Sequence, residues 1–220
     1  MTRPESLIGR RPHRAPPVLS LWDAVQLPLA RTHELCGRAR RTLALHLAAA
    51  ARRAAGGGPV VWIAPGWDGD RLNTCGVAAI LPPQELLFVT PRRAEDMLWA
   101  MEEALRAGCV PAVVADLAQA PGMTAVRRLH LAAEAGAGHG FAVPLGLLLT
   151  PGAGGAPGVE TRWRMDPAHA RPGQDLWRLE RLRARMAPPQ AWWLGDAGLQ
   201  PIGPDDGGAG ISPRHGARAR

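Results

Sequence analysis

Apolar positions follow two different rhythms along the chain. Val60 to Ala64, Leu86 to Val89 and Val110 to Ala115 are short unbroken apolar runs bounded by Gly, Pro or polar residues. Such runs predict strands buried on both faces. Between them the period lengthens towards 3.6. From Arg41 to Ala55, Leu43, Leu47 and Ala50 form one stripe, with Arg52 and Arg53 near the end and Gly56-Gly57-Gly58 as a stop, which predicts a helix. A second helix is expected after Thr90, as its cap, with Pro91 at the favoured first position. Met97, Leu98, Met101 and Leu105 would face inward, Glu95, Glu102 and Glu103 outward, and Gly108 would end it. Thr124 opens a third, with Val126, Leu129 and Ala133 inward. Thr32 to Cys36 and Phe141 to Leu149, the latter interrupted by Pro144, complete the strand set. Strands alternating with such helices imply βαβ crossovers, hence an α/β fold with a mostly parallel sheet flanked by helices.

The last third changes character. Pro151 to Gly158 reads as a flexible loop, and Glu160 to Met165 as a strand with Thr161, Trp163 and Met165 on one side. Leu176 to Met186 fits a helical stripe and an alternating strand alike. With Ala191 to Leu194 across Pro188-Pro189, the reading adopted is an antiparallel hairpin. Ser20 to Leu29 suggests a short helical turn with Leu21, Trp22 and Val25 inward. The domain layout is therefore a basic flexible arm at 1–20, one α/β domain at 21–196, and a disordered basic tail at 197–220.

Composition narrows the function classes. The 220 residues carry a formal charge of +7, supplied entirely by arginine because the chain has no lysine. Two explanations stay open for that charge: contact with DNA, or a GC-rich coding bias that writes surface cations as Arg. No apolar run reaches the length of a membrane span, so a cytoplasmic location without membrane contact is expected. Cys36, Cys75 and Cys109 form neither a disulfide framework nor a metal clip and read as buried reduced thiols. The histidines lack ligand spacing, so no metal is expected.

The junction after Cys36 carries the chemical question. P-loop NTPases wrap phosphate there with a glycine-rich turn and a lysine. Here the turn reads Gly37-Arg38-Ala39-Arg40-Arg41-Thr42. Thr42 stands at the magnesium hydroxyl position and Asp116, ending Val113-Val114-Ala115, at that of a metal-orienting carboxylate. Gly37, Thr42 and Asp116 are thus candidates for a degenerate nucleotide site, with helix capping and loop capping as their ordinary alternatives. ATP binding is doubtful, and no catalytic residue is assigned. The second candidate is a partner surface made by Arg178, Arg181, Arg183, Arg185, Trp192 and Trp193, because Arg and Trp dominate binding hot spots. Core filling by the Trp rings is the competing explanation.

The phrases His33-Glu34-Leu35-Cys36-Gly37, Pro59-Val60-Val61-Trp62-Ile63, Leu98-Trp99-Ala100-Met101-Glu102-Glu103-Ala104-Leu105 and Arg127-Arg128-Leu129-His130-Leu131-Ala132-Ala133-Glu134, in that order, resemble the ImuA family of RecA-like, SulA-like bacterial proteins, as does Thr161-Arg162-Trp163-Arg164. The resemblance spans about residues 20 to 196. It implies a RecA-like α/β core and a non-catalytic helper in damage-induced (SOS) translesion synthesis. Its implied partners are an ImuB-like polymerase-fold protein and an error-prone DnaE-type polymerase, with RecA as a further candidate. Where related recombinases place a catalytic glutamate after Ile63, this chain has Ala64-Pro65-Gly66-Trp67. A DNA-dependent ATPase using arginines and a SulA-like division inhibitor are the alternatives.

Overall fold

A computed structural model describes residues 17–67, 69–169 and 175–203. Most of the expected basic arm and of the expected tail fall outside the described residues; the last residues assigned to the arm are strand, because a strand starts at Val18. Among the described residues are eleven strands and four α-helices. The fold is mixed α/β, built on a nine-stranded, mostly parallel sheet.

The chain opens with a hairpin, β1 (Val18–Leu21) and β2 (Val25–Pro28), paired antiparallel. This corrects the helical turn expected at Ser20 to Leu29. Leu19, Leu21, Val25 and Leu27 are buried while the residues between them are not. That is a period of two, which belongs to a half-buried strand. Trp22 and Asp23 take φ of 51° and 58° to make the turn.

Eight further strands and a late addition form the large sheet. They are β3 (Arg31–Cys36), β4 (Val60–Ile63), β5 (Leu86–Val89), β6 (Ala112–Asp116), β7 (Leu145–Leu149), β8 (Thr161–Pro167), β9 (Trp177–Ala184), β10 (Gln190–Gly195) and β11 (Gly198–Pro201). Their spatial order is β11-β10-β9-β8-β3-β7-β6-β4-β5. From β5 to β8 every pairing is parallel, and from β8 to β11 every pairing is antiparallel. The antiparallel hairpin expected at the C-terminus is present. β11 extends it into residues expected to be disordered, because Gly198, at φ 85°, closes a second turn and returns the chain along β10.

Helix α1 (Arg40–Ala54) lies on one face with the β1–β2 hairpin and the short α2 (Thr74–Ala78). Helices α3 (Ala94–Ala107) and α4 (Met123–His139) cover the other. Two apolar cores result, one per face, and Trp62 and Trp163 are fully enclosed, each contributing ~2–3 kcal/mol by area removed from water. Helices α3 and α4 can touch because Gly136 has no side chain: a Cβ there would lie 2.1 Å from the Leu105 carbonyl oxygen.

Several local expectations need correction. Helix α3 begins at Ala94 with Arg93 as its cap, so Thr90 and Pro91 stay outside it. Glu102 is buried rather than outward, since it pairs with Arg106 in its own helix and Arg128 of α4. Phe141 is 98 % exposed, and the strand it was expected to start begins after Pro144, at Leu145. Of the three thiols only Cys36 is buried, and burial with the neighbouring Glu34 carboxylate pushes its pKa to about 11. Finally, β5 is the rim of the sheet rather than an interior strand, and Leu87, Phe88 and Val89 are exposed.

Candidate functional site

β3 delivers the chain to the junction where a phosphate cradle would stand. Gly37 turns at φ 87°, and a Cβ there would sit 2.4 Å from the Met165 carbonyl oxygen. Only glycine fits a position that is both left-handed and pressed against β8. Four successive backbone amides of the turn are engaged by protein. Gly37 N–H donates to Gly152 O at 3.2 Å, Arg38 N–H to Asp166 Oδ1 at 2.7 Å, Ala39 N–H to Met165 O at 2.9 Å, and Arg40 N–H to Gly37 O at 3.4 Å. Burial alone would raise the Asp166 pKa, but the Arg38 amide and the Arg164 guanidinium outweigh it and hold the carboxyl below its usual value.

The charges of the junction are likewise engaged. Helix α1 has no acidic residue in its first turn and no side-chain cap, while Arg40 and Arg41 place cations at the end of the helix dipole that repels them. Asp116, 5 % exposed at the end of β6, offsets this. Arg41 Nε donates to Asp116 Oδ2 at 2.5 Å, and Arg40 Nε lies 3.7 Å from Asp116 Oδ1. Arg41 also donates to Asp70 Oδ2 at 2.5 Å, tying the segment after β4 to the same point. Burial would lower the Arg41 pKa, yet its two carboxylate partners raise it above its ordinary value. A cavity of about 260 Å³ remains beside the pair, with Trp62 and Phe88 among its walls and Arg41 and Arg71 set against Asp70 and Asp116. That lining balances charge, whereas a polyphosphate calls for an excess of cations.

Thr42 is the third residue of α1 and half-buried, so it is not the helix cap considered above. Among the described residues no hydrogen bond joins it to Asp116. The structure therefore brings Asp116 to the helix start beside Gly37, but through arginines rather than through a metal-type arrangement. No group of three or more metal-capable side chains converges among the described residues.

The neighbouring loop, 151–158, is anchored rather than loose. The fully buried Glu34 accepts from Thr150 Oγ1 at 2.7 Å, from Gly155 N–H at 2.8 Å and from Ala156 N–H at 3.0 Å, and it also holds Arg162. On the other face of β3, His33 Nδ1 meets Thr161 Oγ1 at 2.8 Å and Nε2 meets the Pro28 carbonyl at 2.9 Å. With Nε2 as donor, Nδ1 accepts from the threonine hydroxyl, which in turn accepts from Trp163 Nε1 at 2.9 Å. Burial lowers the His33 pKa to about 3. Glu34, Asp166 and His33 were not singled out in the sequence. A carboxylate within the strand expected at Thr32 to Cys36, beside Leu35 and Cys36, was the available signal, since such a group is buried only when paired.

The arginine–tryptophan segment divides between two faces. Trp192 pairs across the ladder with Leu179, is 5 % exposed, and stacks on Trp163 with ring centroids 5.8 Å apart. Arg181 lies over both rings, at 5.3 and 5.7 Å, and donates to Pro188 O at 3.0 Å. Burial lowers its pKa. On the opposite face Trp193 pairs with Arg178, and Arg183 with Arg162. The six residues expected to form one surface thus form two groups. Many of the arginines are already neutralised: Arg178 by Glu180, Arg164 by Asp166 and Arg185 by Glu160. A cavity of about 510 Å³ opens between the β1–β2 hairpin and the β9–β10 turn, with Arg181, Arg185, Gln190 and Trp192 in its lining.

No protein-family model matches the chain. Protein ImuA of Caulobacter vibrioides strains NA1000 / CB15N and ATCC 19089 / CIP 103742 / CB 15 is 35% identical to it over 154 residues, covering 63% of this chain. The chain spans 60% of the length of those relatives. The resemblance to the ImuA family is thereby borne out. Among solved structures, SulA from Pseudomonas aeruginosa is 25% identical, with 54% of this chain and 97% of that chain covered, at a TM-score of 0.39. Among the described residues no helix is long and apolar enough to cross a membrane.

Proposed function

We propose, from the relationship to ImuA and the geometry of the junction, that this chain is a non-catalytic accessory protein of SOS mutagenesis, acting in the cytoplasm. It keeps a RecA-like framework, with β3, a turn and α1 in the middle of a parallel sheet and a carboxylate ending β6. The single observation that carries the reading is the occupied cradle. Four successive amides and two arginines at the junction are held by Gly152, Asp166, Met165, Gly37 and Asp116. Phosphoryl transfer needs those donors for the phosphates and a metal.

What remains is docking. We assign the partner surface to the cavity side of the C-terminal sheet, around Arg181 and Arg185, with Trp192 as its floor; Arg183 lies on the opposite face and is outside it. An ImuB-like protein and an error-prone DnaE-type polymerase are the proposed partners, and RecA a further one. Direct DNA binding is not part of the reading, because neighbouring carboxylates already neutralise Arg164, Arg178 and Arg185.

The test is capture of the two polymerase components by the tagged full chain. Charge reversal at Arg185, an exposed residue of this face, is expected to reduce capture at least tenfold with an unchanged melting temperature. Undiminished capture contradicts the surface. Trp192→Ala is unsuitable here because that ring is core.

A further inference from the structure

The outermost parallel strand breaks the pattern of the sheet it belongs to. Parallel sheets bury their strands on both faces, and β4 obeys, with all four residues buried. Its neighbour β5 reads Leu86-Leu87-Phe88-Val89 and, among the described residues, pairs only with β4, so no described strand lies along its outer row of backbone donors and acceptors. Leu87 is 50 %, Phe88 56 % and Val89 37 % exposed. In register, Leu87 and Val89 stand opposite Val61 and Ile63, on the α3–α4 side, and Phe88 opposite Trp62, on the α1 side. Apolar side chains therefore emerge on both faces of one edge. Trp67, next to the Gly66 amide that bonds the Pro91 carbonyl at the end of β5, adds a ring 56 % exposed. The strand itself contains no charge, proline or bulge, the usual devices that stop an edge from pairing.

The charges flanking this edge are arranged for a particular occupant. Glu85 precedes the strand, and Arg92 and Arg93 follow it. A copy of the strand laid antiparallel along the outer edge about a twofold axis sets Phe88 opposite Phe88 and Leu87 opposite Val89, each pair on one face. It brings the Glu85 end of each chain to the Arg92-Arg93 end of the other, within the diagonal reach of long side chains. Glu85 already holds Arg52 at 2.8 Å through one oxygen, and a carboxylate accepts from more than one donor. Such a pairing is self-complementary, as a twofold interface requires.

We propose that β5 is a homodimerisation edge, at which two copies of this chain join their sheets by antiparallel β5–β5 pairing. The contact is four residues long, so the dimer is reversible rather than obligate, in the manner of small interfaces. It lies at the opposite rim from the C-terminal sheet, leaving the proposed partner surface of each copy open, and it does not depend on that proposal.

Sedimentation velocity of the full chain across a dilution series tests it. At about 100 µM, a concentration at which small reversible interfaces are populated, a species of twice the 23.4 kDa chain mass is expected, dissociating on dilution. Leu87→Lys, at an exposed position, is expected to leave only monomer while the melting temperature stays unchanged. Glu85→Lys should weaken the dimer at least fivefold, and adding Arg92→Glu and Arg93→Glu to it should restore association. A chain that is monomeric throughout overturns the proposal. So does a dimer indifferent to Leu87→Lys, or one that the charge exchange fails to restore.

Discussion

Arginine is used in opposite ways at the junction after β3 and in the β9–β10 hairpin. At the junction, Arg40 and Arg41 turn towards a single buried carboxylate and close a site that other α/β proteins keep open for phosphate. In the hairpin, Arg181 lies over two indole rings, while Arg183 and Arg185 are exposed. One region consumes its cations internally, and the other builds a rigid aromatic floor beneath them. The difference teaches that a positive charge total says little by itself. What decides recognition is how much of each guanidinium stays exposed beside its carboxylate, little for Arg40 and Arg41 and most of it for Arg185.

Both regions are expected to respond most strongly to pH. His33 sits beneath both regions, joining β2, β3 and β8. Its folded pKa, about 3, lies below the ordinary 6.5, so between those values the unfolded chain binds the extra proton and stability falls as pH falls. The loss is about 2 kcal/mol by pH 5 and on the order of 5 kcal/mol by pH 3. His46 and His130, also lowered by burial, act in the same direction. Urea midpoints at pH 7.5 and 5 read the effect, and equal midpoints would count against the buried neutral imidazole.

Next in size is the aromatic floor. Trp192→Ala should cost ~3–5 kcal/mol as a buried ring lost from the core. Trp193→Ala, on the more open face, should cost under half as much. Equal losses in thermal melts would mean that the two rings do not differ in burial as described.

Smaller again is the closure of the junction. Asp116→Ala leaves Arg40 and Arg41 facing the α1 dipole without their carboxylate. Because the arginines are partly exposed, the cost should be ~2 kcal/mol, or roughly 4–8 °C in a chain of this size. A melting temperature unchanged by the substitution would show that Asp116 does not hold the junction.

Much of this layout was legible in the chain. The parallel strands were visible as apolar runs, and Val61 does lie between Leu87 and Val113 in one sheet. The candidates Gly37 and Asp116 fell at one junction because strand ends and glycine turns are local signals. What local signals could not reveal was how the site is filled. Asp166 and Gly152 reach Arg38 and Gly37 from more than a hundred residues away. Likewise, Glu34 converts a glycine-rich loop expected to be loose into an anchored one, a contact that exists only after β3 and β8 align. The exposure of β5 was hidden for the same reason. An apolar run reports the need for a neighbour, but the order of strands decides whether this chain supplies it.

On the proposed reading, the protein itself fills the place of the triphosphate. Titration of magnesium ATP into the full chain, followed calorimetrically and by phosphate release, addresses it most directly. No saturable heat and no turnover are expected, with or without single-stranded DNA. Saturable magnesium-dependent binding with turnover that Asp116→Ala abolishes would contradict it.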